Sequence, residues 1–135
     1  MTDTHRSLTV DRAREGVYVA RNADGVELTF GAGGMSPVEL LMAALAGCAA
    51  VDVDTATSRR AEPERFTVRV DAEKLTEGGN RLADVVVTFD VAFPPGPDGD
   101  VARTILPRAL TVSHDKACTV SRTLEAPTPV TMRTA

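Results

Sequence analysis

Tryptophan is absent, and four phenylalanines and one tyrosine make up an aromatic content of only 4%. Single-stranded nucleic acids are held on stacked aromatic platforms, and so few rings leave little to build one from. An excess of positive charge is also missing. The 15 basic residues stand against 19 acidic ones, for a net charge of −4, so neither a phosphate-binding face nor a charged tail is expected, and no nucleic-acid partner. No uninterrupted apolar run approaches the roughly 18 to 20 residues of a membrane span. The start, MTDTHRSLTV, lacks the basic and then apolar regions of a secretory signal. These absences predict a cytoplasmic protein without a membrane partner. Two cysteines and two histidines with no C-x-x-C or H-x-x-x-H spacing argue against a metal site. With no P-loop or G-x-G-x-x-G pattern either, no metal and no cofactor is expected. Cys48 and Cys118 are too few to form a disulfide scaffold, and a reducing compartment keeps them as thiols unless their pairing belongs to a catalytic cycle.

What is present suffices for one core: 135 residues with 43% hydrophobic content predict a single domain, 1–135. Residues 7 to 30 alternate, with Asp24-Gly25 as a hairpin cue between two β-rich runs. Ser36, Pro37 and Glu39 write a helix start, with a capping box and a proline at the first helical position, and the helix should run to about Ser58. Arg59 and Arg60 then sit near its C-terminal end. Strands are expected over 64–73 and 83–93, joined by TEGGN. A helix capped by Asp98 or Asp100 should reach about Ser113, kinked or broken early at Pro107. A short helix around KACTVSRTL and a last edge strand over 127–134 complete the order β-β, α, β-β, α, β. That order describes an α+β domain with mostly antiparallel sheet.

The interior of the first helix, AALAGCAA, consists of small residues that admit close approach of another backbone, so this helix is expected to be buried on most sides. Leu41, Leu45, Cys48 and Asp52 form one stripe at 100° per residue. Cys48 therefore reads either as a small hydrophobe in a packed helix or as a held thiol. If reactive it needs a cation, because Asp52 one turn away disfavours a thiolate. Around Cys118, His114 lies four residues before and Arg122 four after, and a helical path would put both on the cysteine's side. These polar residues equally suit an ordinary solvated helix end.

Together, SPVELLMAALAGCAAVDV and SHDKACTVSRTL resemble the two signature segments of the OsmC/Ohr family, the osmotically inducible and organic hydroperoxide resistance proteins. The first is similar to the family's central helix, S/N-P-x-E-L followed by A-A-x-x-x-C; the second resembles its H-x-x-C-x-V/Y-S pattern. With the hairpin and intervening strands the resemblance covers nearly the whole chain, and it looks closest to the OsmC-like branch. It implies an OsmC-like fold with a long buried central helix in an intertwined homodimer. It also implies a thiol peroxidase for organic hydroperoxides, in oxidative-stress defence. Cys48 would be the peroxidatic cysteine and Cys118 the resolving one, captured as a disulfide before over-oxidation. A dithiol, such as a protein-bound lipoyl group, would reduce that disulfide.

The sequence departs from the reductase pattern at one point. The reductases carry a glutamate ten residues before the first cysteine, and here that position is Val38. Glu39 follows it, about 180° from Cys48 on a helix, and is a candidate partner of the thiol as well as a capping residue. Arg14, in R-E-G, matches an R-D-G of the reductases and is preferred over Arg21 as the activating cation. The Val38 departure supports an alternative, a dimeric binding module for a small apolar or thiol-reactive ligand without efficient peroxidase activity.

Overall fold

The computed structural model describes residues 3–135. Their contacts gather into two compact units, one ending at Leu41 and one running from Met42 to Ala135.

In the first unit the alternating runs pair as an antiparallel meander of β1 (Leu8–Arg14), β2 (Val17–Asn22) and β3 (Glu27–Gly31). Tyr18 lies opposite Phe30 with ring centroids 5.8 Å apart, the kind of cross-strand pair that stabilises a sheet. The Asp24-Gly25 turn forms, but as a four-residue loop. The Asn22 side-chain oxygen accepts the backbone N–H of Asp24 at 3.0 Å and of Val26 at 2.9 Å. Gly31 ends the sheet at φ +110°, where an added Cβ would lie 2.1 Å from the Gly16 carbonyl oxygen. Only glycine tolerates both that backbone angle and that approach.

Helix α1 (Pro37–Ser58) begins and ends as its sequence predicts. The Ser36 N–H donates to Glu39 Oε1 at 2.9 Å, and the Glu39 N–H donates to Ser36 Oγ at 3.1 Å, a complete capping box. Burial corrects the expectation of a helix covered on most sides. Leu45, Val53 and Thr57 are its only buried residues, while Val38, Leu41 and Val51 are exposed. By length and apolar composition its 22 residues are also enough to cross a membrane, which the interruptions by Asp52 and Asp54 hid from a search for unbroken runs. It stands here as the long helix of an α+β fold.

In the second unit β4 (Arg65–Leu75) and β5 (Arg81–Ala92) form an antiparallel hairpin, with Val68 opposite Phe89 and a bulge between Asp71 and Glu73. Phe66 and Phe89 meet edge-on, 6.1 Å between centroids. Helix α2 (Pro97–Val112) starts earlier than expected: Gly96 is its N-cap, and Asp98 and Asp100 lie in its first turn, where their charge suits the helix N-terminus. Nor does Pro107 break it. The proline sits on an exposed face, so the carbonyl it leaves without an N–H partner can be solvated. The helix gives way only after Val112, to a π-turn at Ser113–Ala117, and α3 (Thr119–Glu125) follows. Residues 126–135 form no strand, correcting the expected edge strand. Pro127 and Pro129 remove two ladder donors, and Val130 and Met132 are exposed. The core of this unit contains Leu45, Val53, Phe93, Ala102, Ala109 and Cys118.

Gly31→Ala should cost about 2 kcal/mol or more, combining a strained φ with a backbone clash. Thermal unfolding followed by circular dichroism should show a midpoint several degrees lower; an unchanged midpoint would mean that the β3 exit relaxes freely.

Candidate functional site

Cys48 sits halfway along α1 and is half-buried, whereas Cys118 is 1% exposed. The 70 residues between them are closed up by the fold, for the Cys48 side chain comes near enough to the Cys118 sulfur to favour its charged form. The delivery of Cys118 depends on the π-turn. Its backbone N–H donates to the Ser113 carbonyl, five residues back, at 2.8 Å. That ring holds one residue more than an α-helical turn. His114 precedes Cys118 by four residues and lies within this turn.

Leaving the turn, Cys118 takes an extended conformation and becomes the N-cap of α3, its sulfur accepting the Ser121 N–H at 3.4 Å. A thiol thus occupies the position usually held by the side-chain oxygen of Ser, Thr, Asp or Asn. Burial pushes the Cys118 thiol up. Hydrogen bonds from the Ser121 backbone and hydroxyl, the Cys48 thiol and the Val120 backbone outweigh it, and the thiol lies below the ordinary cysteine value. Donors aimed at a sulfur favour its charged form.

The expected placement of His114 and Arg122 beside the cysteine is not what forms, because the chain here follows a π-turn and then an extended residue. His114 is exposed between Asp115 Oδ1 at 2.8 Å and Glu125 Oε1 at 3.0 Å. The hydrogen bond to Asp115, then that to Glu125, hold its imidazole above the ordinary value, and the three side chains tie the π-turn to α3. The Arg122 guanidinium donates to the Asp115 carbonyl. Asp52, read from the sequence only as a threat to a thiolate, accepts the Ser113 hydroxyl at 2.8 Å. Ser113 and Ser121 were not singled out by sequence reasoning. The C-x-x-S spacing of Cys118 and Ser121 is the N-cap to N3 interval and was the available signal; for Ser113 there was none.

Glu39 and Arg14 belong to the first unit, the two cysteines to the second. The Glu39 carboxylate is taken up by the capping box, which holds it below the usual range through the Ser36 backbone and then its side chain. Arg21 is paired with Asp11 at 3.1 Å and Glu27 at 2.9 Å. Arg14 makes no hydrogen bond or ion pair among the described residues and ends β1 exposed. An open cavity of about 340 Å³ lies beside the thiol pair, its wall including Asp52 and Ala56 of α1, Ile105, Arg108 and Val112 of α2, and Ala117. Neither sulfur lines it. Among the described residues no His, Cys, Asp and Glu cluster is arranged to hold a metal ion.

The model of the OsmC-like protein family matches residues 30–133. Among solved structures, one of a hypothetical protein from Aquifex aeolicus superimposes with a TM-score of 0.74 at 18% identity, covering 91% of this chain and 89% of that one. An OsmC-like protein of unknown function from Vibrio cholerae gives 0.69 at 17% identity over 91% and 95%. A putative osmotic stress induced and detoxification response protein from Psychrobacter arcticus gives 0.65 at 18% identity over 94% and 93%. At these identities the likeness is one of fold. No curated protein matches the sequence.

Replacing Cys48 by Ala should raise the pH at which Cys118 ionises, since one donor to its sulfur is lost. Ultraviolet thiolate absorbance against pH measures it, and a Cys118 titration identical with and without Cys48 would refute the hydrogen bond between the thiols.

Proposed function

The chain belongs to the OsmC-like family, whose model spans residues 30–133, and on that premise we propose that it is a homodimeric thiol peroxidase acting on organic hydroperoxides. The observation that carries this reading is the pairing of its only two cysteines, 70 residues apart in sequence, within hydrogen-bond reach. A pair of inert core thiols has no need of a π-turn or of donors to one sulfur.

Exposure divides the roles. Cys48 is the sulfur that a solvent-borne peroxide meets first, and Cys118 is buried behind it. The pair shares the Cys48 proton, and its transfer to Cys118 leaves Cys48 as thiolate. That thiolate attacks one peroxide oxygen; an S–O bond forms, the O–O bond breaks, and the alkoxide takes the proton from Cys118 and leaves as alcohol, so that Cys118 is a thiolate again. Cys118, as thiolate, then attacks the sulfenic sulfur of Cys48. The S–S bond forms and hydroxide leaves as water. A dithiol reductant, such as a protein-bound lipoyl group, returns both thiols by exchange and is itself oxidised to a disulfide. The apolar body of the peroxide fits the mostly apolar cavity beside the pair.

Support for the homodimer comes from α1. Its exposed Val38, Leu41 and Val51, with small residues between, form a helix surface that favours cover, and a second copy supplies it. We read residues 1–135 as one OsmC-like domain, since the family match crosses the division at Leu41. Arg14, exposed and, like Arg12, unpaired among the described residues, is the activating cation on this reading. The cytoplasm, where dithiol reductants are kept reduced, suits this cycle.

One observation favours a second reading, a binding module for a small apolar or thiol-reactive ligand. Val38 stands in the place of the reductase glutamate, and Glu39 is held in the capping box by both of its hydrogen bonds to Ser36.

Turnover of cumene hydroperoxide with a dithiol separates the readings. Cys48→Ser should abolish turnover, and Cys118→Ser should allow a single turn followed by over-oxidation visible as added oxygen in the intact mass. Persisting activity in the Cys48 variant would sink the peroxidase reading, and no turnover by the unmodified protein would leave the binding module. Sedimentation equilibrium should give twice the chain mass of 14.3 kDa; a monomer at micromolar concentration would rule the dimer out.

A further inference from the structure

Two connections run between α1 and the segment that carries Cys118. One is the thiol pair itself. The other lies one turn further along α1: Asp52, four residues after Cys48 and so on the same helix face, accepts the hydroxyl of Ser113 at 2.8 Å. Ser113 is 3% exposed and opens the π-turn, and its carbonyl takes the backbone N–H of Cys118 at 2.8 Å. The two connections are therefore rungs of one ladder. A four-residue step on α1 faces a five-residue step through the turn.

We infer that Asp52 is a positioning residue for the thiol pair, pinning through Ser113 the π-turn that presents Cys118 to Cys48. This extends the reading of the two cysteines as a working pair. The Asp52–Ser113 bond joins a half-buried carboxylate to a buried hydroxyl, and such charge-assisted bonds are stronger than neutral ones. The Ser113 backbone carbonyl transmits the anchor without a second side chain. A disulfide forms only within a narrow window of Cα separation and dihedral angle, so a small drift of the turn on α1 costs effective concentration of one thiol at the other. Asp52 touches neither sulfur by any recorded hydrogen bond; its action is through the turn.

The test uses the full-length protein in glutathione buffers and needs no peroxide. Cys48 and Cys118 reduce one glutathione disulfide, forming their own S–S bond and releasing two molecules of glutathione, and intact mass separates that product from mixed disulfides. Asp52→Ala and Ser113→Ala should each require a buffer more oxidising by on the order of tenfold to half-oxidise the pair, the weight of one such hydrogen bond. Asp52→Asn, whose amide oxygen still accepts the hydroxyl, should stay within about threefold of the unmodified protein. Val53→Ala, a destabilising cavity beside Asp52 on α1 that removes neither the Asp52–Ser113 nor the Cys118–Ser113 hydrogen bond, should lower thermal stability and leave the midpoint in place. Unchanged midpoints in folded Ser113→Ala and Asp52→Ala would overturn the proposal, as would a Val53→Ala shift equal to theirs, which would mark a general loss of packing. Because the readout is a disulfide equilibrium, a protein inert to hydroperoxide that shows the shift keeps the positioning role and loses only the peroxidase reading.

Discussion

The site depends on a single backbone hydrogen bond, from the N–H of Cys118 to the carbonyl of Ser113. An α-helical continuation would bond that N–H to the residue four back and carry Cys118 onward inside a regular helix, its sulfur fixed by α2's own register. The five-residue ring makes the chain wider there and lets it leave the helix immediately afterwards. Cys118 is then extended, free to cap α3 with its side chain and to meet Cys48 with the same sulfur. π-turns are rare because their packing is poorer than that of an α-turn, and they persist mostly where a side chain has to be re-aimed. The bonds that hold this one are in place: Asp52 anchors its first residue, and His114 joins its second to Asp115 and to Glu125 of α3.

Helix α1 meets a different constraint. Its small residues and capping box give a helix that forms where the sequence says, since the local signals there need no tertiary help. Its burial is another matter, because three residues on one side are all that the single chain covers. Alanine and glycine leave the rest of its surface shallow, and the exposed Val38, Leu41 and Val51 leave it apolar. A surface of that kind stabilises little in water and more against a second helix, at roughly 25 cal/mol for each Å² of apolar area removed from solvent. The same positions that place Cys48 therefore also favour association.

Local signals were legible and non-local ones were not. The ends of α1, the β4–β5 hairpin and the meander follow from capping, alternation and turn residues that act within a few positions. Asp98 and Asp100 misled because a carboxylate suits both the cap and the first turn, and Gly96 took the cap with no side chain at all. Pro107 misled because its cost depends on whether the freed carbonyl reaches water, a matter of which face of α2 is exposed. The edge strand over 127–134 failed for want of a partner, which no strand pattern encodes. At the site, both cysteines were legible from motif spacing, and their approach was not, since it involves a π-turn whose first residue, Ser113, bonds Asp52, 61 positions away. Asp52 itself was seen but assigned by charge alone, as a repulsion toward Cys48. Its hydrogen bond turns it to a supporting role.

Charge at the thiol pair can be argued a step further. A peroxidatic thiol in a reductase is prepared by an arginine that a glutamate holds in place. Here Glu39 is spent on Ser36, where a carboxylate in the first turn also complements the helix N-terminus. The pair then has to supply its own preparation. Hydrogen bonds from Ser121, the Cys48 side chain and Val120 favour the charged form of Cys118 by more than its burial opposes it.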